Sequence, residues 1–250
     1  MEINRLYSMF LRMFQDKSLA PKSIPLYQGV IDYLVQYSDA LPKVVQIGGH
    51  DGVSGDPVRQ SIIKHRLPAL VLEPEEKSFS KLVKNYTDYN NVIALNCALC
   101  ESGKEKESYL YHVHPKIQKK MDRMVKRTAL GVSSFSKEYV AKAVSKAFPE
   151  LGREKVLDFV VSQEVVCKEL GSALEEYGFK DFDILQVDIE GYDYIVLELL
   201  DFNLHRPYVV NFEIKNMPVE KQESCKSILS SNGYRLYHHG GDVLAFRLPE

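Results

Sequence analysis

Short β-branched runs that stop abruptly at a glycine, a proline or a carboxylate, each followed by a helical pattern, constrain this chain more than anything else in it. Val44-Val45-Gln46-Ile47 runs into Gly48-Gly49, and Ala69-Leu70-Val71-Leu72 runs into Glu73-Pro74. Val92–Leu95 makes a third run, Ile184–Val187 ends at Asp188, and Tyr208–Glu213 precedes a helical stretch around Val219–Ser230. Apolar runs this short, bounded by turn residues, are strands buried on both faces of a parallel sheet. Their alternation with helices winds the sheet through right-handed crossovers, so the expected class is α/β. The chain closes differently. Tyr234–Tyr237, the Gly240-Gly241-Asp242 turn and Val243–Phe246 read as an antiparallel hairpin at the sheet's end.

Two amphipathic stretches, Ile3–Phe14 and about Ile24–Tyr37, precede the first strand, and Pro42 closes the second. They define an N-terminal helical segment over residues 1–42, followed by an α/β domain over 43–250. Between about residues 110 and 163 the alternation lapses, which reads as an insertion over the active face. Ile3, Leu6, Tyr7, Phe10, Met13 and Phe14 form one helical stripe, suited to capping the core or to joining a homodimer. Charges at Glu2, Arg5, Arg12 and Asp16 break any signal-peptide pattern, so a reducing, cytoplasmic setting is expected. No apolar run is long enough to suggest a membrane span. The CxxC pair Cys97 and Cys100 lies in an apolar run without a partner pair, as buried structural thiols do.

Chemistry concentrates at three strand ends. In Gln46-Ile47-Gly48-Gly49-His50-Asp51-Gly52 the glycines let backbone approach a ligand that side chains would exclude. Their spacing is GxxxG, not the GxGxxG of a pyrophosphate-binding turn, which favours S-adenosylmethionine over a nicotinamide dinucleotide. A plain structural turn is the ordinary alternative. Glu73 follows the glycine loop by roughly the interval at which an acidic strand end accepts ribose hydroxyls. Asp188-Ile189-Glu190-Gly191-Tyr192-Asp193 is the most specific segment. Helix capping explains one carboxylate there, not three. Gathering them costs free energy unless a cation or a proton donor binds beside them.

At these points the sequence resembles the FkbM family of methyltransferases. The resemblance runs from about Val44 to Phe246 and is carried by VVQIGGHDG, LVLEP, NVIALNCAL, Gly131-Val132-Ser133-Ser134-Phe135, LQVDIEGYDYIVLELLDF, VVNFEIKN and GYRLYHHGGDVLAF. It implies a Rossmann-like class I methyltransferase fold and S-adenosylmethionine as methyl donor. It also implies that Gly48, Gly52 and Glu73 line the cofactor and that Asp188 lies near the reaction centre. Gln46, Gly49 and Asn96 complete the expected cofactor-binding set. Gln46 is a departure, because many methyltransferases of this fold carry an acidic residue there.

The expected reaction is O-methylation of a hydroxyl on a sugar, glycan or natural product. In-line transfer from a sulfonium needs alignment and water exclusion, and a hydroxyl nucleophile must also lose its proton. Asp188 or Glu190 is the expected base. In a second version the two hold a divalent cation such as magnesium or calcium, although no complete ligand set can be named. Ser133, Ser134 and His112 are the candidate substrate contacts. His112 and His114 share one side of a strand pattern without an evident third metal ligand. The basic stretch Lys116–Arg127 carries a matching apolar stripe and reads as a solvated helix face. With 32 lysines and arginines against 34 acids, the chain has no global attraction for nucleic acid, which makes an RNA-binding reading unfavoured. An oxidoreductase using a nucleotide cofactor and a non-catalytic binding module remain as alternatives.

Overall fold

The computed structural model describes residues 26–100, 108–117, 120–121, 133–215 and 217–247. The N-terminal stripe Ile3–Phe14 and most of the basic stretch Lys116–Arg127 lie outside the described residues.

The short β-branched runs pair as one sheet. In chain order its strands are β1 (Val44–Ile47), β2 (Ala69–Leu72), β3 (Val92–Leu95), β9 (Ile184–Val187), β10 (Val209–Glu213), β11 (Arg235–His239) and β12 (Asp242–Phe246). Their lateral order is β11-β12-β10-β9-β1-β2-β3. β1, β2, β3, β9 and β10 run parallel, and β12 is antiparallel to both β10 and β11. The chain moves outward from β1 to β3 and then returns to lay β9 beside β1. That pair of strand ends is therefore the topological switch point, where a sheet of this kind opens a ligand crevice.

Every residue of β1, β2 and β9 is buried, as both-face burial requires. Alternate residues feed two cores. Val45, Ile47, Leu70, Leu185 and Val187 pack with Leu174, Val196, Leu197 and Leu229. These come from α6 (Leu170–Glu176), α7 (Asp193–Leu199) and α8 (Val219–Ser231). Val44, Ala69, Val71 and Ile184 pack on the other face with Ile31, Leu34, Ile62 and Leu82. Those belong to α1 (Leu26–Tyr37), α2 (Arg59–His65) and α3 (Glu76–Asn85). The middle of the sheet also carries a polar row: Gln46, Gln186 and Asn211 are in register and nearly fully buried. Asn211 Nδ2 donates to Gln186 Oε1 at 3.0 Å, while Gln46 Oε1 has no partner.

The irregular middle of the sequence builds a second layer with its own core. β5 (Ser108–Val113) pairs antiparallel with β6 (Ser133–Ser134) and with β7 (Val160–Val165). Val113, Val140, Val144, Phe148 and Val156 pack beneath it, from β5, α4 (Lys137–Ala147) and the residue that follows it, and α5 (Arg153–Leu157). A parallel pair, β4 (Ala98–Cys100) with β8 (Cys167–Glu169), joins the two chain crossings that flank this layer. All four cysteines are free, and burial pushes the Cys97 thiol up to about 11, as suits a packing residue. Among the described residues no helix is long and apolar enough to cross a membrane.

Candidate active site

Three residues stand side by side at the carboxyl ends of adjacent strands. The Glu73 N–H donates to the Leu95 carbonyl, the Gly48 N–H to Leu72, and the Asp188 N–H to Ile47, at 2.9–3.0 Å. Each residue is thereby the first beyond its strand, and the three form a row across β2, β1 and β9. They open on one cleft of about 220 Å³, with His50, Ser54, Glu75, Ser78, Leu110, Ser133, Ser134, Phe135 and Glu190 among its other walls. Leu110, Ser133, Ser134 and Phe135 come from the inserted layer, which roofs the strand ends.

The glycine loop is shaped by close packing. Gly48 has φ +84°, and a Cβ there would overlap the Asp188 carbonyl oxygen. A side chain at Gly49 would overlap Val71, and one at Gly52 would come within 2.6 Å of Leu82 and 2.8 Å of Tyr86. Gly48 thus faces the cleft, whereas Gly49 and Gly52 let the loop settle on α3. Asp51 closes the loop by accepting the Val53 and Ser54 N–H groups at 2.9 and 2.7 Å. Arg59 ties it down, donating to the Gly52 carbonyl at 2.7 Å and the Asn85 carbonyl at 3.0 Å while stacking over Tyr86.

Glu73 is 7% exposed. Its two oxygens accept the His50 and Glu75 N–H groups, each at 2.8 Å. Burial nevertheless pushes its carboxyl up to about 7, because two amide donors only partly replace the lost water. His50 holds its place in the loop with φ +47°, a strained value for a residue with a Cβ.

On the other side of Gly48 the carboxylates crowd together. Asp188 lines the cleft and is exposed at its mouth. Desolvation first, then repulsion from Asp193, Glu190, Glu213 and Asp242, raises its carboxyl. Glu190 adopts φ +56° and receives the Tyr139 hydroxyl at 3.0 Å. Burial and the charge of Glu213 raise its carboxyl, while Tyr139 and Lys215 oppose the rise. Asp193 is fully buried at the start of α7. Its Oδ1 accepts the Glu213 N–H at 3.2 Å, its Oδ2 has no partner, and burial lifts it to about 7.

The cofactor-binding and substrate-contact residues expected from sequence divide between the cleft and its supports. Gly48, Glu73, Asp188, Glu190, Ser133 and Ser134 line the cleft. Gln46 belongs to the buried amide row beneath the sheet end, on the α1–α3 side. Asn96 braces the turn after β2, donating to the Glu73 carbonyl at 2.8 Å and the Pro74 carbonyl at 3.2 Å. His112 sits on β5 opposite Ser133, half-buried, with Glu75 and Lys77 among the charges it feels. Among the described residues no group of three or more His, Cys, Asp or Glu is placed to hold a metal ion.

Sequence reasoning passed over Glu75, Tyr139, Arg59 and Asp242. Glu75 carried a signal, since Glu75-x-x-Ser78 is a helix-capping spacing and its side chain accepts the Ser78 N–H at 2.7 Å. Tyr139 carried none. Its role arises only when α4 folds over the Glu190 turn.

No curated protein gives a significant match. Among solved structures, an FkbM methyltransferase from Methylobacillus flagellatus is similar at 13% identity and TM-score 0.46, over 82% of this chain and 43% of that one. This chain thus spans less than half of that protein. Precorrin-6y C5,15-methyltransferase from Geobacter metallireducens matches at 10% identity and TM-score 0.42, over 91% of this chain and 92% of that one. A human methyltransferase 10 domain containing protein matches at 11% identity and TM-score 0.45, over 90% and 83%. The sequence profile of the methyltransferase FkbM domain matches residues 46–236, from within β1 into β11. With most of its length under that profile, the chain belongs to the FkbM methyltransferase family.

Proposed function

We propose that the protein is an S-adenosylmethionine-dependent O-methyltransferase whose acceptor is an uncharged hydroxyl on a sugar, glycan or natural product. Family membership implies S-adenosylmethionine use and favours methyl transfer over hydride transfer. The observation that carries the reading is the row Glu73–Gly48–Asp188 across three adjacent strand ends, opening on one cleft.

The residues present fit such a cofactor. Glu73 keeps lone pairs on both oxygens beyond its two amide bonds, and these suit the paired hydroxyls of a ribose. Between Glu73 and Asp188, Gly48 lines the cleft, and its missing Cβ lets the Asp188 backbone close against it. When bound, the cofactor supplies an electrophilic methyl group. Asp188 is placed to take the acceptor proton as the new O–C bond forms and the S–C bond breaks. Glu190 supports it from the acceptor side. Leu110 and Phe135 exclude water, and the Ser133 and Ser134 hydroxyls are available to orient a polyol.

Charge favours an uncharged acceptor. The cleft walls carry four carboxylates, Glu73, Glu75, Asp188 and Glu190, and no lysine or arginine among the described residues. Calorimetric titration with S-adenosylhomocysteine, with NADH as the control, tests the reading. Micromolar binding of the former alone is expected, and binding of NADH alone would overturn it.

A further inference from the structure

Four polar atoms are buried behind the glycine loop, and the chemistry proposed for the cleft uses none of them. They are the Tyr27 hydroxyl on α1, Gln46 Oε1 on β1, Asp56 Oδ2 ahead of α2 and the Tyr86 hydroxyl just after α3. Tyr27, Gln46 and Tyr86 are 6%, 2% and 5% exposed. Each of the four atoms is sealed from solvent and has no hydrogen-bonding partner in the protein. Burying one polar group unpaired is already costly, and four together call for a common partner.

Several contacts bring the four together. Tyr27, Val58 and Tyr86 pack in one core, on the sheet face that also takes the Gln46 side chain. Asp56 is pinned beside Val58 by its other oxygen, Oδ1, which accepts the Val58 and Arg59 N–H groups at 2.9 Å. Arg59 in turn stacks 4.6 Å from the centre of the Tyr86 ring. Asp56 also acts on each of the others. Burial first, then the Asp56 charge, pushes both tyrosine hydroxyls above their ordinary value, so both keep a proton to donate. Burial raises the Asp56 carboxyl as well, opposed by the Arg59 and Val58 N–H groups and then by the Gln46 amide.

Two hydroxyl donors set against two oxygen acceptors are the complement of one water molecule, with its two lone pairs and two protons. Waters held inside proteins take two to four such partners. An alkali cation fits less well, because the Arg59 guanidinium already stands over Tyr86. We infer that one ordered water is bound between Tyr27, Gln46, Asp56 and Tyr86, and that it sets the glycine loop from behind. It accepts from the two hydroxyls and donates to Gln46 Oε1 and Asp56 Oδ2. Its partners bracket the loop: Gln46 precedes Gly48 on β1, Asp56 follows Gly52, and a Gly52 side chain would come within 2.8 Å of Tyr86. The water thus joins α1, β1 and the end of α3 beneath the segment that lines the cleft.

The test is a crystal structure of the protein at a resolution that orders water, with equilibrium unfolding of Tyr27→Phe, Tyr86→Phe and the double variant. One density peak should lie within about 2.7–3.2 Å of all four atoms. Each single variant should lower the folding equilibrium constant by about fivefold, the worth of one neutral hydrogen bond. The double variant should depart from the product of the two by at least about threefold, because both hydroxyls address one molecule. An empty pocket, a direct bond between any two of the four groups, or effects that simply multiply would overturn the inference. Unfolding midpoints should be equal in sodium, potassium and choline chloride at matched ionic strength, and a dependence on the alkali ion would put a cation in place of the water. Both single variants should also bind S-adenosylhomocysteine about two- to fivefold more weakly than the parent, a fraction of one hydrogen bond passed through the loop. Only this last readout rests on the S-adenosyl reading. A parent that does not bind the ligand overturns that reading and leaves the water site standing. A parent and variants that bind it equally overturn the water's hold on the loop.

Discussion

The Tyr139 hydroxyl donates to Glu190 Oε2 at 3.0 Å across 51 residues of sequence, and so ties the inserted layer to the turn that carries the acidic site. Tyr139 stands on α4, whose N-terminus Ser136 caps by accepting the Tyr139 N–H at 3.2 Å. The same residue thus fixes the start of α4 and fastens it over the cleft. Tyr139→Phe keeps the ring and removes only the donor, at a cost of about 1–2 kcal/mol. Hydrogen exchange across residues 137–147 should accelerate in the variant, while the β1, β2 and β9 amides keep their protection. Unchanged exchange in α4 would show that the hydroxyl does not fasten it.

Gly48 is required by two independent constraints, its positive φ and the Asp188 carbonyl against its missing side chain. Gly48→Ala should destabilise the protein by at least about 3 kcal/mol, the sum of a left-handed backbone penalty and a steric clash. Gly152→Ala is the control, because Gly152 has φ −66° and nothing lies within 4 Å of its added Cβ. Denaturant midpoints check the pair, and equal midpoints would contradict the close approach of Gly48 to Asp188.

Asp193 gives the unliganded protein a pH signature. Burial first, then Glu213, lifts its carboxyl from 3.8 to about 7, against N–H groups of Glu213, Asp193 and Ile189 that favour the charged form. A raised value means that the fold prefers the neutral acid. The stability associated with this group is therefore complete below pH 3.8 and is lost as pH climbs through about 7. Asp193→Asn removes the titration. The melting temperature of the variant, relative to the parent, should rise by several degrees between acidic and neutral pH. A difference independent of pH would mean that Asp193 ionises in the fold as freely as in water.

Glu73→Gln tests the ribose end alone. The amide has a donor where one carboxylate oxygen stood, so either the His50 or the Glu75 N–H loses its acceptor and one ribose hydroxyl loses its partner. S-adenosylhomocysteine affinity should drop by about ten- to a hundredfold, the worth of one or two charge-assisted hydrogen bonds. Adenine alone, titrated into both forms, should bind them equally.

Much of this was legible in the sequence, for a physical reason. Strands buried on both faces must be short and apolar, so Val44–Ile47, Ala69–Leu72 and Ile184–Val187 announced themselves. Glu73 and Asp188 were legible as the residues that ended those runs. What period and composition do not carry is which face of a wholly buried strand meets the ligand. Gln46, an expected cofactor residue, stands in an amide row with Gln186 and Asn211, visible only once β1, β9 and β10 are side by side. The acid cluster is likewise a product of strand order. Glu213 and Asp242 pair across β10 and β12 and reach Asp188 only because β9 returns to the middle of the sheet. The Tyr139–Glu190 bond depends on how the inserted layer lies over the strand ends, and no local pattern encodes that.

The most direct measurement is a crystal structure of the protein with S-adenosylhomocysteine. The account predicts both ribose hydroxyls within hydrogen-bonding distance of the Glu73 carboxylate, and the sulfur above Gly48 on the side facing Asp188. A nucleoside bound elsewhere, or a ribose that does not touch Glu73, would contradict it.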